Sequence, residues 1–338
     1  FFFQAEAGIR DSVASRGLGD VYKRQSIIHA LGPFERLFNI MPQPHSNMLI
    51  ERRFPVRLGQ QVGSLEDAYR REKSANWHPV SDIPWDRLRV DRLVQRDRDA
   101  ARLVWSRRLW AAYGYLSETP ATLIRLCLEL DRPISPKFFL TVRNTQEACH
   151  IAAMQRMAEA YGGYISKPGS AAYATTLNLD LSQRILHADT SIDAYVLAHC
   201  AIKIGAEAVL YKLHGTAVKN NAIATTLGLI AEDKRRHAAF GWDFVTDRIH
   251  SWDDVDRAAA NDEIVRAVDE IILSGFLTPF LAAPGVADGE KAAEEHISLA
   301  GLGCAGEVQQ RQALASFLAA TQKKLNGLSI DMPNYSVV

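Results

Sequence analysis

The sequence predicts an all-α protein built on a four-helix bundle with additional C-terminal helices. From residue 94 onwards, apolar residues recur at the spacing of amphipathic helices, and no stretch alternates convincingly as a strand would. Turns rich in proline, glycine or asparagine separate these helical stretches. The long connection at 163–190 divides four of them into two helical hairpins, which is typical of a bundle with one crossover.

The composition is that of an ordinary globular protein. The chain of 338 residues is 47% hydrophobic, with 39 acidic and 39 basic residues. This length can bury a substantial core, in one large domain or two small ones. A net charge of zero gives no electrostatic reason to expect nucleic acid or an anionic membrane as a partner. Three polar side chains interrupt the longest apolar stretch, Tyr195–Tyr211, so we predict no membrane span.

The spacing of the cysteines bears on the cellular compartment. The four cysteines are scattered along the chain, and no Cys-x-x-Cys pair occurs. Scattered cysteines are typical of reduced thiols, so the pattern predicts a cytoplasmic location.

Residues 1–25 are excluded from the fold prediction. The segment Asp20–Gln25 is similar to the translation of a transposon end used in sequencing libraries, and Phe1–Glu6 resembles the start of other translated adaptor reads. We therefore interpret residues 1–25 as an adaptor artefact, with a real N-terminal arm as the alternative. We expect them to pack poorly, and their deletion to change the melting temperature by no more than about a degree or two.

Residues 26–96 are predicted to form an irregular N-terminal arm. Six prolines punctuate this part of the chain and argue against long helices. One short helix at Ser64–Lys73 is compatible with the pattern. Trp77 and Trp85, each within two residues of a proline, indicate an extended arm that two tryptophans fix to the main body.

Six further helices are predicted, with boundaries given by caps and helix breakers. The bundle domain covers residues 97–285, and residues 286–338 form a C-terminal helix and tail. The crossover has room for one short helix near Leu181–His187. The six helices are predicted at Val94–Leu130, Lys137–Gly162, Ser191–Val218, Ala222–Ile249, Asp262–Leu281 and Glu307–Leu325.

Glu147 and His150 are the first candidate site residues. A helix turns by about 100° per residue, so these two side chains project from neighbouring points on one face. That face continues through apolar residues, which indicates that it is buried. Burying a carboxylate and an imidazole is costly unless another charge compensates them. A metal ion would do so, and Glu-x-x-His units in helical bundles are the usual di-iron or di-manganese arrangement.

The spacing of the two hairpins supplies partners for this pair. Residues of an antiparallel hairpin face each other when they lie equally far from its turn. Glu118 lies opposite Glu147 across the first predicted turn, and Glu207 lies opposite His237 across the second. Each hairpin therefore offers a glutamate on its first helix and an acid and histidine cluster on its second. We predict that all four side chains converge on one site.

Two segments resemble a known family. The stretch Ala231–Trp242 is similar to the Asp-Glu-Ala-Arg-His-Val-Ala-Phe-Gly signature of the ferritin-like di-metal carboxylate superfamily, in its oxygenase and ribonucleotide-reductase small-subunit-like branch. The segment Trp77–Trp85 is similar to the Trp-x-Pro-x-x-Asp-x-x-Trp sequence before the first helix of some such oxygenases. The resemblance covers roughly residues 76–250 and implies a ferritin-like bundle. The positions that match the family's metal ligands are Glu118, Glu147, His150, Glu207 and His237.

The sequence departs from the family at one ligand position. The second Glu-x-x-His would place a glutamate at 234, where this chain has Lys234. Asp233, or Glu232 after a local helix distortion, could replace the missing carboxylate as a metal ligand. Alternatively, Lys234 lies in the site as a cation that replaces the charge of one metal ion. Lys234 is a candidate catalytic side chain, and so is Tyr115, three residues before Glu118, for which a packing role is the alternative.

Ordinary structural roles are the alternatives for the other residues. Glu118, beside Pro120, could mark a helix boundary. Glu207 could pair with Lys203, four residues earlier, on the protein surface. The charged residues 233–236 could form a solvated cluster. The metal interpretation is favoured because four unrelated surface residues are not expected to lie at matching distances from the turns of their hairpins.

The resemblance implies an O2-dependent di-metal oxidase or oxygenase that acts on a small organic substrate. The expected cofactor is iron, two ions per chain if the site is complete, with manganese possible. Electrons would come from an external ferredoxin or reductase, because the chain has no iron–sulfur cysteine spacing of its own. We also expect a homodimer. The alternative function is a non-catalytic or degenerate ferritin-like scaffold subunit with a partial metal site.

Overall fold

The computed structural model describes residues 63–129 and 132–337. The predicted adaptor segment 1–25 and the part of the predicted arm before residue 63 lie outside the described residues. Within the described ranges every regular element is a helix, which confirms the all-α prediction.

The four-helix bundle is formed by α2 with α3, α4, α7 and α8, and the C-terminal helices pack onto it. In chain order the helices are α1 (Gly63–Ser74), α2 (Gln95–Tyr113), α3 (Tyr115–Leu128), α4 (Ile134–Ala160), α5 (Ala171–Leu177), α6 (Leu181–Leu186), α7 (Ile192–Thr216), α8 (Asn221–Arg248), α9 (Asp254–Ala267), α10 (Asp288–Ala300) and α11 (Glu307–Asn326). Single 3-10 turns lie at Trp85–Arg87, Val90–Arg92, Ile249–Ser251 and Pro279–Leu281.

The described part of the N-terminal arm is anchored as the sequence predicts. Helix α1 confirms the short helix expected at Ser64–Lys73. Trp77 is buried. The indole Nε1 of Trp85 donates a hydrogen bond to the carbonyl oxygen of Pro79 at 2.9 Å. The indole of Trp77 donates to Asp233 of α8, and the guanidinium carbon of Arg156 on α4 lies 4.7 Å from the centroid of the Trp85 ring, so the two tryptophans fix an otherwise irregular segment to the bundle.

The first bundle helix is interrupted. The sequence predicts one helix over Val94–Leu130, but α2 ends at Tyr113 and the chain restarts as α3 at Tyr115. Pro120 lies inside α3, where it has no N–H group to bond the preceding turn. The break lies at Gly114, which keeps α-helical φ and ψ angles of −59° and −26°, and not at Pro120.

The crossover between the hairpins holds two short helices. Helix α6 lies where the sequence indicated a short helix near Leu181–His187. The side chains of Ser170 and Asp180 cap α5 and α6, because each accepts a hydrogen bond from a backbone N–H of the first turn.

Helix α7 is apolar and lies in the core. Its segment Val196–Lys203 is π-helical, with α-helical turns on both sides. A π-helix has i→i+5 bonds, so the side chains beyond this segment are rotated relative to those of a regular α-helix. By length and composition, Ile192–Thr216 is the one helix in the described ranges that could cross a membrane, and 89% of its apolar stretch is buried inside the protein. The core helix of a bundle has the same properties.

Helices α7 and α8 approach each other closely at a glycine. A Cβ atom on Gly241 would lie 2.5 Å from the backbone nitrogen of Ala201 and 2.8 Å from the carbonyl carbon of Cys200. Any larger residue would clash with the α7 backbone at this point. The missing side chain of Gly241 therefore lets α8 pack directly against the π-helical segment.

The C-terminal helices differ in part from the prediction. The helix predicted at Asp262–Leu281 begins earlier, at Asp254, because Asp253 caps it with a capping box. It ends in a π-helical turn at Ile272. Helix α10 is additional, and the sequence prediction missed it. Helix α11 confirms the helix predicted at Glu307–Leu325.

The loop between α10 and α11 carries a Gly-x-Gly-x-x-Gly spacing at Gly301–Gly306. In dinucleotide-binding folds this spacing follows a strand and opens a helix. Here a helix precedes it, and Gly301 ends α10 with a left-handed φ of 68°. The spacing is therefore not a dinucleotide fingerprint.

Two apolar cores leave a gap between them in the middle of the bundle. Along α4, one core includes Leu140 and the other begins at Ala153. Along α8, the second core reaches Ile230 and the first begins at Phe240. The polar residues that the sequence predicts as site residues on α4 and α8 fall within these two gaps.

Candidate functional site

The predicted site residues of α4 and α8 meet between the two cores. Glu147 and His150 lie one turn apart on α4, and Lys234 and His237 lie one turn apart on α8. None of these four side chains is more than 1% exposed. Together with Glu207 of α7, which is 6% exposed, they form a cluster that we call the buried centre.

Lys234 lies in the middle of the buried centre. Its Nζ atom is 3.0 Å from both carboxylate oxygens of Glu147 and 3.0 Å from Oε2 of Glu207. The same atom lies 3.6 Å from the centroid of the Tyr115 ring, which is a cation–π contact. Burial opposes the charged form, but the charges of Glu147 and Glu207 outweigh burial and raise the pKa of Lys234. The lysine is therefore a charged member of the site and not part of a solvated cluster.

Both histidines turn the same ring nitrogen towards Glu147. Nδ1 of His150 is 3.2 Å from one Glu147 oxygen, and Nδ1 of His237 is 3.4 Å from the other. The opposite nitrogen of His150, Nε2, is held by Asp233 at 2.8 Å. Nε2 of His237 is held by Gln146 at 2.7 Å. The buried Nδ1 atom of His237 has no hydrogen-bond partner. In a neutral His237 ring whose Nε2–H donates to Gln146, the lone pair of Nδ1 faces Glu147, whereas Nδ1 of His150 is hydrogen-bonded to Glu147.

The surroundings of Glu147 hold it as a carboxylate. Burial would raise its pKa, but the charge of Lys234 and the hydrogen bond from His150 keep it well below the usual range. Burial lowers the pKa of His150, but its hydrogen bonds with Asp233 and Glu147 outweigh burial and raise it. Arg143 adds a second cation, with Nε 3.8 Å from Glu147. A buried negative charge is thus stabilised from several sides.

Asp233 lies behind His150 and not beside Glu147. Its Oδ2 atom accepts hydrogen bonds from Nε2 of His150 and, at 2.8 Å, from the indole Nε1 of Trp77. Its Oδ1 atom pairs with Arg236. Because both oxygens are engaged, Asp233 orients the His150 ring. This placement differs from the predicted role of Asp233 as a metal ligand, since its neighbour on α8 takes the position that faces Glu147.

Glu118 is buried next to the centre, where it pairs with Lys203. Its Oε2 atom is 2.6 Å from Nζ of Lys203, and its Oε1 atom accepts a hydrogen bond from Tyr195 at 3.0 Å. Burial would raise the pKa of Glu118, but the charge of Lys203 outweighs burial and lowers it. Glu118 therefore belongs to an ion pair next to the buried centre, and its predicted role as a metal ligand stays a prediction.

The ion pairs of the structure decide whether Glu207 lies on the surface and whether Glu232 replaces the missing carboxylate. Lys203, expected as a surface partner of Glu207, is fully buried and contacts Glu118 instead. Glu232 is exposed and pairs with Arg235 on the surface of α8. Glu207 therefore belongs to the buried centre and Glu232 does not.

Tyr115 lies between the buried centre and the Glu118–Lys203 pair. Its hydroxyl group donates to Glu207, and its ring centroid is 4.5 Å from Nζ of Lys203. Burial and the charge of Glu207 raise the pKa of Tyr115 well above its usual value, so the hydroxyl stays protonated. A cavity of about 30 Å³ adjoins Tyr115, Glu207 and Lys234, which is room for one or two water molecules. Both candidate catalytic side chains thus line this cavity.

Sequence reasoning missed several residues that shape the site. Arg143 and Gln146 are buried on the same helix as Glu147. The signal for Arg143 was its position one turn before Glu147, on a face that is otherwise apolar. No signal marked Gln146. Lys203 was seen but placed on the surface, because the π-helical segment that turns it inwards leaves no mark in the residue spacing.

The buried centre offers pairs of metal donors but no triad. The distance between each histidine Nδ1 atom and the nearer Glu147 oxygen suits two adjacent ligands of one metal ion. Each of the two atoms would then bind the ion at about 2.0–2.2 Å. Among residues 63–129 and 132–337, however, no group of three or more His, Cys, Asp or Glu side chains is placed to hold a metal ion. The ammonium group of Lys234 takes the space against both Glu147 oxygens. The residues therefore fit one ion in part, and this arrangement does not fit two.

The bundle with a single crossover and a polar centre defines a ferritin-like fold. No family model and no curated protein matches the sequence. The fold is similar to that of an R2-like ligand-binding oxidase with an aerobically reconstituted Mn/Fe cofactor, with a TM-score of 0.56 and 18% identity, over 77% of this chain and 92% of that chain. A variant R2-like ligand-binding oxidase gives a TM-score of 0.54 and 15% identity, over 80% of this chain and 94% of that chain.

This likeness confirms the predicted ferritin-like fold, and identities of this size establish the fold alone. The two similar structures contain a Mn/Fe cofactor. Their metals are consistent with the expectation of iron, with manganese possible, for a centre of this kind.

Proposed function

We propose that this chain is an oxidoreductase of the R2-like oxidase type, which binds iron or manganese at the buried centre and uses O2 to oxidise a small organic substrate. The observation that carries the proposal is the orientation of His150 and His237. Each ring presents Nδ1 to Glu147, and a separate side chain holds its Nε2 atom. Electrons would come from an external donor protein.

The orientation of the histidines is that of metal ligands. A histidine that binds a metal commonly donates its other ring N–H to a carboxylate or carbonyl oxygen, which fixes the tautomer and the ring. Asp233 and Gln146 give His150 and His237 such partners. An unpartnered buried nitrogen such as Nδ1 of His237 costs free energy. A metal ion on Nδ1 would remove that cost.

The surrounding side chains enclose the centre. A bound iron or manganese ion would supply the electron transfer to O2. Trp77 lies over the His150 ring with centroids 6.0 Å apart, and Phe139 meets the His237 ring edge-on at 6.1 Å. These aromatic rings keep water from the histidines. The cavity beside Lys234 and Tyr115 has room for a molecule of the size of O2, and it must widen to admit an organic substrate.

Metal content combined with O2 consumption tests the proposal. The full chain is produced in medium supplemented with iron and manganese, analysed for both metals by mass spectrometry, and mixed with a chemical reductant in an oxygen electrode. We expect bound metal and reductant-dependent O2 consumption in the wild type, and the loss of both in Glu147→Gln. Glu159→Gln is the matched control, because Glu159 lies exposed on the same helix. A wild-type chain that binds neither metal would refute the proposal.

The position of Lys234 favours a second candidate function, a non-catalytic ferritin-like scaffold subunit. The ammonium group of Lys234 and the guanidinium group of Arg143 together offset the charges of Glu147 and Glu207 without any metal, so the helices can pack stably around an inactive centre. The same experiment separates the two functions. A scaffold subunit binds no metal and consumes no O2, yet it unfolds cooperatively as an intact bundle.

A further inference from the structure

We infer that the ammonium group of Lys234 takes the place of one metal ion in the buried centre. This replacement, which rests on the proposed function, makes the centre a site for one metal ion and one lysine cation. It follows from the contacts of Lys234 and from the balance of buried charge around it.

The contacts of Lys234 are those of a shared cation. Nζ is equidistant, at 3.0 Å, from the two oxygens of Glu147, and it is 3.0 Å from Glu207. It therefore bridges carboxylates of α4 and α7, as a metal ion shared between them would. Lys234 is 1% exposed, and its ammonium group packs on the Tyr115 ring at 3.6 Å. A metal ion in the same place would have to expel this group from a closed interior.

The charges in and around the centre are nearly balanced without any metal. The carboxylates in this network are Glu72, Glu118, Glu147, Glu207 and Asp233, and the lysine and arginine cations that pair with them are Arg143, Lys203, Lys234 and Arg236. All of them are buried or nearly so. With the two histidines left out of the count, this set leaves a single uncompensated negative charge.

The charge balance limits the number of metal ions. One divalent ion brings two positive charges and keeps the buried region close to neutral. A second divalent ion would leave a large excess of positive charge in a medium of low dielectric constant, which is strongly unfavourable. Lys234 thus excludes a second ion both by its position and by its charge.

Metal stoichiometry in matched variants tests the replacement. Lys234→Glu removes the cation and restores the Glu-x-x-His spacing with His237. Lys212→Glu makes the same charge change at an exposed position on α7. The wild type and both variants are loaded with Mn²⁺, freed of excess metal and analysed. We expect Lys234→Glu to bind about one more ion per chain than the wild type, and Lys212→Glu to match the wild type.

Thermal unfolding gives a second readout that does not depend on activity. In Lys234→Glu the clustered carboxylates repel each other unless metal neutralises them. Adding a chelator should therefore lower its melting temperature by roughly 5–10 °C more than it lowers that of the wild type. If Lys234→Glu does not fold without metal, refolding in Mn²⁺ supplies the sample, and this metal requirement itself supports the replacement.

The outcomes separate the replacement from the proposed function. A wild type that binds two ions, or a folded Lys234→Glu that binds no more metal than the wild type, overturns the replacement. Either result leaves the oxidoreductase proposal standing, provided that the wild type binds metal. A wild type without metal refutes the proposed function and also overturns the centre of one metal ion and one lysine cation, even if Lys234→Glu gains one ion.

Discussion

Glu118 of α3 and Lys203 of α7 form a buried ion pair, with Oε2 and Nζ 2.6 Å apart. Lys203 is the last residue of the π-helical segment, and Glu118 lies in the first turn of the helix that restarts after Gly114. The pair thus joins two places where the bundle helices are irregular. It also holds α3, which is separated from α2 by the break at Gly114, against the core helix α7.

The first prediction concerns the stability that this pair contributes. Lys203→Met should lower the free energy of unfolding by about 3–5 kcal/mol, because Glu118 is then a buried charge without its partner. Equilibrium unfolding in urea measures the loss. Lys212→Met, at an exposed position on the same helix, should change stability by no more than about 0.5 kcal/mol. Similar losses in both variants would show that the pair is not a structural element.

The second prediction tests the close approach of α7 and α8. Gly241→Ala should destabilise the protein by about 3 kcal/mol or more, because its Cβ atom would meet the backbone of Ala201 at 2.5 Å. Gly228→Ala, on the same helix with nothing within 4 Å of the added atom, should stabilise the protein by about 0.5–1 kcal/mol. Urea unfolding of the two variants side by side is the measurement. Opposite signs are required; the same sign in both would contradict the packing described.

The third prediction concerns the hydrogen bond from Trp77 to Asp233. Trp77→Phe removes a donor to a buried carboxylate and should cost about 1.5–3 kcal/mol. Trp85→Phe is the control, because its indole donates to the neutral carbonyl oxygen of Pro79 in a partly exposed position, where the cost should be about 0.5–1.5 kcal/mol. Chemical denaturation compares them. An equal loss at both positions would mean that the charge on Asp233 adds nothing to the bond.

The fourth prediction concerns pH. Burial would raise the pKa of Glu263, but hydrogen bonds from His199 and Arg184 outweigh it and lower the pKa from 4.5 to about 2. A carboxyl group with a lowered pKa in the folded state stabilises the protein above its unfolded pKa, and this stabilisation is lost as the pH falls towards its folded pKa. The stability advantage of the wild type over Glu263→Gln should therefore be largest above about pH 5 and shrink as the pH falls below about 4.

Urea unfolding of the wild type and Glu263→Gln between about pH 6 and pH 3 measures this difference. Glu295→Gln, on α10, is a control at an exposed position, and its difference from the wild type should stay near zero throughout the range. A wild-type advantage over Glu263→Gln that is constant with pH would show that Glu263 is not stabilised as a carboxylate.

The buried centre could be predicted where the helices are regular. Glu147 and His150 on α4, and Lys234 and His237 on α8, lie on uninterrupted α-helices, so their spacing alone gives the face that they share. The same regularity shows why Lys234, and not a neighbour, faces Glu147. The choice between a lysine inside the site and one in solvent could not be made from spacing, because it depends on the partners that tertiary packing brings together.

The partners of Glu118 and Lys203 could not be predicted from the spacing. The hairpin argument compares distances from the turn, but it does not show that Lys203 and Tyr195 contact the two oxygens of Glu118. The assignment of Lys203 as a surface partner of Glu207 assumes α-helical spacing, but Lys203 closes a π-helical segment and points towards α3. Neither the pairing of Glu118 nor the π-helical segment can be read from hydrophobic periodicity, because the pairing depends on which helices pack together and the segment leaves the apolar pattern intact.

The π-helical segment Val196–Lys203 affects how this chain is aligned with related bundles. A π turn holds an extra residue compared with an α turn, so α7 matches an uninterrupted helix only if the alignment places a gap of at least one residue inside the segment. Without that gap, every residue from Ile204 onwards is compared with a position about 100° away around the helix. Glu207 would then be equated with a residue that faces a different neighbour, so its true counterpart in another protein must be identified from superposed backbones.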